Sequence, residues 1–223
     1  MSRRVLGCIS LWLVAIAVVA AADVWETKPF LEWSEKEAEK VLADSPWAAL
    51  ISVALPPRLP QPSADTGGGG GRGGGGGAEG FGPGPARIRV TISWRSALPL
   101  KQAVVRQQMG QQGTLAADGQ KLLAQEEPFY VVALSGVPPQ YTRPGPGKTI
   151  ESFLRRNGKP PIPAEQATTQ PTRGGVLLMI GFPKTDPVTL EDGDVEFEVK
   201  LDQITIKKKF KLKEMVFGGK LEL

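Results

Sequence analysis

The stretch nearest to a catalytic motif is Gly145-Pro146-Gly147-Lys148-Thr149, which comes after an apolar run and precedes an expected helix, the setting of a phosphate-binding loop. Its chemistry fails. Thr142 stands where the first glycine belongs, and Pro144 and Pro146 lack the amide hydrogens that would cradle a phosphate. The stretch reads as a turn in which Thr149 caps the expected helix. Asp186, Glu191, Asp192 and Asp194 offer oxygen ligands of the kind Ca²⁺ takes, but their spacing misses the calcium-loop pattern and they read as a solvated acidic turn. A pair of carboxylates facing one another would suit glycoside hydrolysis, and nothing in the sequence singles out such a pair.

Other chemistry is removed by what the chain lacks. It has no histidine and one cysteine, Cys8. Cys8 lies in an expected N-terminal leader, and once that is cleaved no Ser-His-Asp triad, thiol nucleophile, or imidazole or thiolate metal site can be built. No Ser-x-x-Lys occurs. The glycine run from Gly67 to Gly77, broken by Arg72, has neither the fixed spacing nor the strand-to-helix setting of a dinucleotide fingerprint. No catalytic residue, cofactor or metal is therefore expected.

Binding residues are easier to find. Trp25, Trp33 and Trp47 fall within one short stretch, and they suit either an aromatic ligand groove or a clamp holding a helix on a small core. Lys207, Lys209, Lys211 and Lys213 share a strand face, with Arg87 and Arg89 on another. Such rows suit an anionic surface component or an acidic partner, or they are a solvated face neutralised by Glu196 and Glu198 that guards an edge. The core clamp and the solvated face are the readings adopted.

The elements that must position these residues are set by periodicity. Ser34 with Glu37 makes a capping box, Trp33 stands at the staple position against Ala38, and Ala38, Val41 and Leu42 share one helix face ending before Pro46. Residues 48–55 predict a buried strand, and 87–94 alternate as a strand that should pair with it or lie close by. Pro99 opens a helix to Met109 with Leu100, Ala103 and Val104 inward, and a weaker helix spans Leu115 to Gln125. Phe129 to Val137 predicts a central strand, Thr149 to Arg156 a short helix stopped at Asn157-Gly158, then proline-rich coil to about Arg173, then a strand from Gly175 to Phe182. The end predicts a hairpin turning near Asp202-Gln203, with Glu198 beside Lys207 and Glu196 beside Lys209, then a Gly218-Gly219 turn. Lys208 breaks the alternation and predicts a bulge or an edge position.

The segment Trp25-Glu26-Thr27-Lys28-Pro29-Phe30-Leu31-Glu32-Trp33-Ser34-Glu35-Lys36-Glu37-Ala38, continuing to Asp44-Ser45-Pro46-Trp47-Ala48, resembles an uncharacterised family of exported acidobacterial-type proteins. Trp94 to Pro99, Phe129 to Pro138 and the tail from Lys209 to Leu223 echo the same family. The resemblance implies export. It carries no activity and no site residue.

Export is expected from the residues as well. Arg3 and Arg4 precede an apolar run from Val5 to Val19, and Ala20-Ala21-Ala22 supplies small residues for cleavage, so 1–22 reads as a signal peptide. The run is short for a membrane span. A periplasmic or extracellular protein with no transmembrane segment after cleavage is expected. Of 27 basic residues the leader removes two, leaving 25 against 23 acidic ones, a near-neutral balance that argues against nucleic-acid binding. Residues 56–86 are so rich in glycine and proline that they have nothing to bury, and they are expected to be a disordered insert. It would interrupt one α+β domain formed by 23–55 and 87–223, with an antiparallel or mixed sheet of about five or six strands and a few short helices. The function expected is a non-enzymatic envelope or extracellular binding or structural module that engages an envelope protein or anionic cell-surface component. A histidine-free carboxylate hydrolase acting on polysaccharide is the alternative.

Overall fold

The computed structural model describes residues 23–56, 86–110, 114–142, 150–172 and 175–223. The expected signal peptide, nearly all of the Gly/Pro-rich insert and the Gly145–Thr149 turn lie outside them. Helices α1 (Val24–Thr27) and α2 (Glu35–Ala43) precede strands β1 (Asp44–Ser45), β2 (Ala48–Ala54) and β3 (Arg87–Trp94). Helices α3 (Leu98–Met109) and α4 (Ala117–Ala124), strand β4 (Phe129–Val137) and helix α5 (Pro139–Thr142) come next. Then come β5 (Glu151–Arg156), β6 (Ile162–Pro163), β7 (Gln166–Thr172), β8 (Gly175–Pro183), β9 (Asp194–Leu201), β10 (Ile204–Lys211), β11 (Val216–Phe217) and β12 (Lys220–Leu221).

The architecture is a single α+β domain. Among the described residues every strand pair is antiparallel, in a six-stranded sheet ordered β1-β2-β3-β4-β8-β7, a four-stranded sheet ordered β10-β9-β5-β6, and the small hairpin β11-β12. The two larger sheets face one another across the main core. Trp94 of β3 meets Phe210 of β10 edge-on at 5.4 Å, and Phe182 of β8 meets Phe197 of β9 at 6.1 Å. Helices α2, α3 and α4 lie on the opposite face of the six-stranded sheet, a three-layer solution to burying both of its faces. The strands on either side of the insert pair directly, from Ala48↔Ser93 to Ala54↔Arg87, and described residues from before and after it contribute to one core.

Several local expectations hold at atomic detail. The Ser34 Oγ accepts the Glu37 amide at 3.2 Å while a Glu37 carboxylate oxygen accepts the Ser34 amide at 2.7 Å. In the last hairpin Lys207 stands opposite Glu198 and Lys209 opposite Glu196, with no break in register at Lys208. Lys208 sits on an edge strand with its ammonium over the Phe210 ring, so the apolar stem is used and no bulge is needed. Gly136 lies at φ +85° where the β4–β8 register shifts, and a Cβ there would run into the Arg89 carbonyl oxygen.

Other expectations are corrected. Residues 151–156 form strand β5, not a helix: Ser152, Leu154 and Arg156 are buried and alternate with Glu151, Phe153 and Arg155, and pairing to β9 selects that period of two. The proline-rich coil contains β6 and the whole of β7, whose polar residues survive as a strand because it is a solvent-exposed sheet edge where Pro171 costs little. The expected sheet of about five or six strands is the six-stranded one, and a four-stranded sheet and a small hairpin stand beside it among the described residues. Strand β2 is only half-buried, with Leu50 exposed, because it lies next to the short edge strand β1. In α3 it is Val105, not Val104, that joins Leu100 and Ala103 in burial.

Candidate functional site

On the helix-bearing face of the six-stranded sheet, α3 and α4 leave the β4–β8–β7 end uncovered. The result is a cleft of about 700 Å³. Strand alternation dictates its floor. Phe129 and Val131 of β4 and Leu177 and Met179 of β8 point away from the two-sheet core, and each is only half-buried. Val104 of α3 and Leu122 of α4 form the facing wall, and Gln166, Thr168 and Gln170 of edge strand β7 form a polar rim. Helix α3 is placed by Pro99 in its first turn and by the Glu222 carboxylate, which accepts the Leu98 amide at 3.3 Å.

Two cations enter this apolar space. Lys101 is 6% exposed, and its ammonium donates to the Gln125 carbonyl at 2.6 Å and pairs with Glu127 at 3.3 Å. Its charge is met within the protein. Arg95 comes directly after β3 on the same parity as Arg87 and Arg89, and its backbone amide donates to the Val131 carbonyl at 2.7 Å. Its guanidinium, by contrast, has no hydrogen bond and no carboxylate among the described residues. Burial pushes the Arg95 pKa down, with no opposing anion to raise it. A half-buried guanidinium beside apolar walls, without a protein partner among the described residues, is costly for folding alone.

The residues singled out by sequence lie elsewhere. Trp25, Trp33 and Trp47 are 6%, 1% and 0% exposed, and they clamp α1, α2 and the C-terminal hairpin onto the core. Lys207 pairs with Glu198 at 3.1 Å and Glu196 at 3.7 Å, Lys209 with Asp194 at 3.8 Å and Lys211 with Glu214 at 3.0 Å. Lys213 makes no ion pair among the described residues. A smaller concavity of about 350 Å³ brings Trp25 together with Lys209 and Lys211, alongside Asp23, Lys40 and Asp44. Trp33, Trp47, Lys207 and Lys213 are not part of its lining. Sequence reasoning missed Arg95 and Lys101. The available signal was a lysine beside Leu100 on the buried side of a helix, and an arginine continuing the Arg87–Arg89 parity to the end that helices cover.

The acidic turn is occupied by protein cations. The buried Arg156 guanidinium pairs with Asp186, and Asp192 accepts from Lys159 at 2.7 Å and lies 4.0 Å from Arg156. Among the described residues no group of His, Cys, Asp and Glu is arranged to hold a metal ion. Among the described residues the carboxylates whose pKa moves clearly, Glu37, Asp186, Asp192 and Glu198, all move downward. The general acid of a glycosidase needs the opposite shift. No helix among the described residues is long and apolar enough to cross a membrane. No protein-family model, curated protein or solved structure matches this chain.

Proposed function

We propose that this chain is an exported, non-enzymatic binding module whose ligand occupies the cleft between α3, α4 and the β4–β8–β7 face. One observation carries the reading: apolar side chains and the Arg95 guanidinium, unpaired among the described residues, line the same space of about 700 Å³. That volume falls in the range of roughly 300–1,000 Å³ used for small-molecule sites, and its apolar lining with few polar groups is their usual composition. Export rests on the Arg3-Arg4 start, the apolar run to Val19 and Ala20-Ala21-Ala22. The absence of histidine supports a binding role over acid–base chemistry. The lysine row and Trp25 are a weaker support for partner binding, because the cations of their shared concavity are largely matched by Asp23, Asp194 and Glu214.

Methionine methyl resonances test the cleft. Met179 lines it, whereas Met215 is fully buried in the main core. Titrating the exported protein with the small-molecule fraction of its own envelope extract should move the Met179 methyl signal and leave that of Met215 in place. A Leu177→Glu variant, which puts a charge in the cleft floor, should lose the response. An unmoved Met179 signal, or a response kept by the variant, would overturn the reading.

A further inference from the structure

We infer that the ligand of this cleft is a singly charged carboxylic acid carried on an apolar body, with Arg95 as its anchor. The inference rests on the cleft being the binding site. It comes from the charge balance of the lining. The charged side chains are Arg95, Lys101 and Glu127. Lys101 and Glu127 neutralise each other at 3.3 Å, and the Lys101 ammonium also donates to the Gln125 carbonyl. One positive charge remains, on Arg95, with no partner among the described residues for its five N–H donors.

Three ligand classes differ in how they meet that charge. A neutral apolar molecule would cover Arg95 and deepen its desolvation without returning a hydrogen bond. A phosphate monoester carries about −1.5 to −2 at neutral pH and would leave surplus negative charge in a partly water-excluded site. A monocarboxylate cancels the charge and presents two coplanar oxygens that match the guanidinium fork. Its body would lie along Val104, Leu122, Phe129, Val131, Leu177 and Met179, where burial of apolar surface contributes the bulk of the affinity. The amides of Gln166 and Gln170 on β7 border the open side, so the far end of the ligand meets water or polar groups.

Calorimetric titration of octanoate, octan-1-ol and octyl phosphate into the full exported protein tests the class. Octanoate should bind at least about tenfold more tightly than either analogue, the scale of one charge-assisted hydrogen-bonded pair. Arg95→Gln should erase that preference by weakening octanoate about tenfold, with octan-1-ol unchanged. Arg95→Lys should restore the preference in part, because the charge returns without the fork. Equal binding of the acid and the alcohol, tighter binding of the phosphate, a preference that survives Arg95→Gln, or no binding of octanoate would each overturn the inference. The Met179 methyl signal separates this from failure of the cleft reading: an alcohol that moves it as strongly as the acid defeats the carboxylate and leaves the cleft standing. If Arg95→Gln does not fold, the three ligands on the unaltered protein decide the matter.

Discussion

At the residue scale, Trp47 illustrates how a large aromatic side chain becomes structural rather than adhesive. Its indole N–H donates to the Glu222 carbonyl at 2.9 Å, and its ring meets Trp25 and Phe217 edge-on at 5.8 and 6.4 Å. Trp33 is tied in the same way, donating to the Lys28 carbonyl at 3.1 Å. A buried indole whose polar atom is satisfied by backbone adds packing without leaving an orphan donor. Trp47→Ala should therefore destabilise the fold by about 3–5 kcal/mol, read from urea unfolding. A loss under about 1 kcal/mol would mean that the ring is not a core clamp. The capping box was legible from Ser34 and Glu37 because its partners lie three residues apart. The charge on Arg95, which has no partner among the described residues, was not, because pairing is a property of everything that surrounds a side chain.

At the element scale, the edge that β2 presents beyond β1 among the described residues carries its own guard. Trp94 donates to the Trp47 carbonyl and Leu55 to that of Ala86, so the odd-numbered residues between them bond to β3. The even-numbered ones, Leu50, Ser52 and Ala54, turn their backbone groups outward beyond the short strand β1. Arg87 reaches round this edge: its Nη2 donates to the Ser52 carbonyl at 3.1 Å and its Nε to the Ser52 Oγ at 2.9 Å. The uncharged edge is thus blocked at its middle by a cation, a device that discourages strand addition. Arg87→Ala should raise concentration-dependent self-association in sedimentation velocity, with little change in the fold. A variant that stays as monodisperse as the parent would remove the guard role. Period-two alternation revealed β3, β9 and β10 in the sequence. Strand β5 escaped because Ser152 and Arg156, both polar, occupy buried positions, and β7 because a fully exposed polar edge has no alternation to read.

At the scale of the whole molecule, ion pairs set the pH range of stability. The Lys28 hydrogen bond, reinforced by Ser34, holds Glu37 at about 2 against an ordinary 4.5. Hydrogen bonds from Arg156 and from Arg155 lower Asp186 and Glu198. For Asp192 burial pushes upward, but the Lys159 hydrogen bond, the Thr189 amide and Arg156 together hold it below its ordinary 3.8. Carboxylates with depressed folded pKa values contribute stability above their unfolded values and lose it as pH falls. The melting temperature should fall once pH drops below about 4.5 and continue falling toward about 2. With no histidine, it should stay level between about pH 5.5 and 8. A step near pH 6 to 7 in thermal melts followed by circular dichroism would contradict this. What the sequence determined by itself was whatever depends on neighbours along the chain: the α+β class, the capped helix, the terminal hairpin with its Glu–Lys register, and the exclusion of imidazole chemistry. The tertiary structure decided which strands share a sheet, that the tryptophans and most of the lysine row are spent on packing and pairing, and that Arg95 faces an uncovered apolar floor. Local geometry is encoded in near neighbours. Burial, pairing and the fate of a charge arise only where distant segments meet.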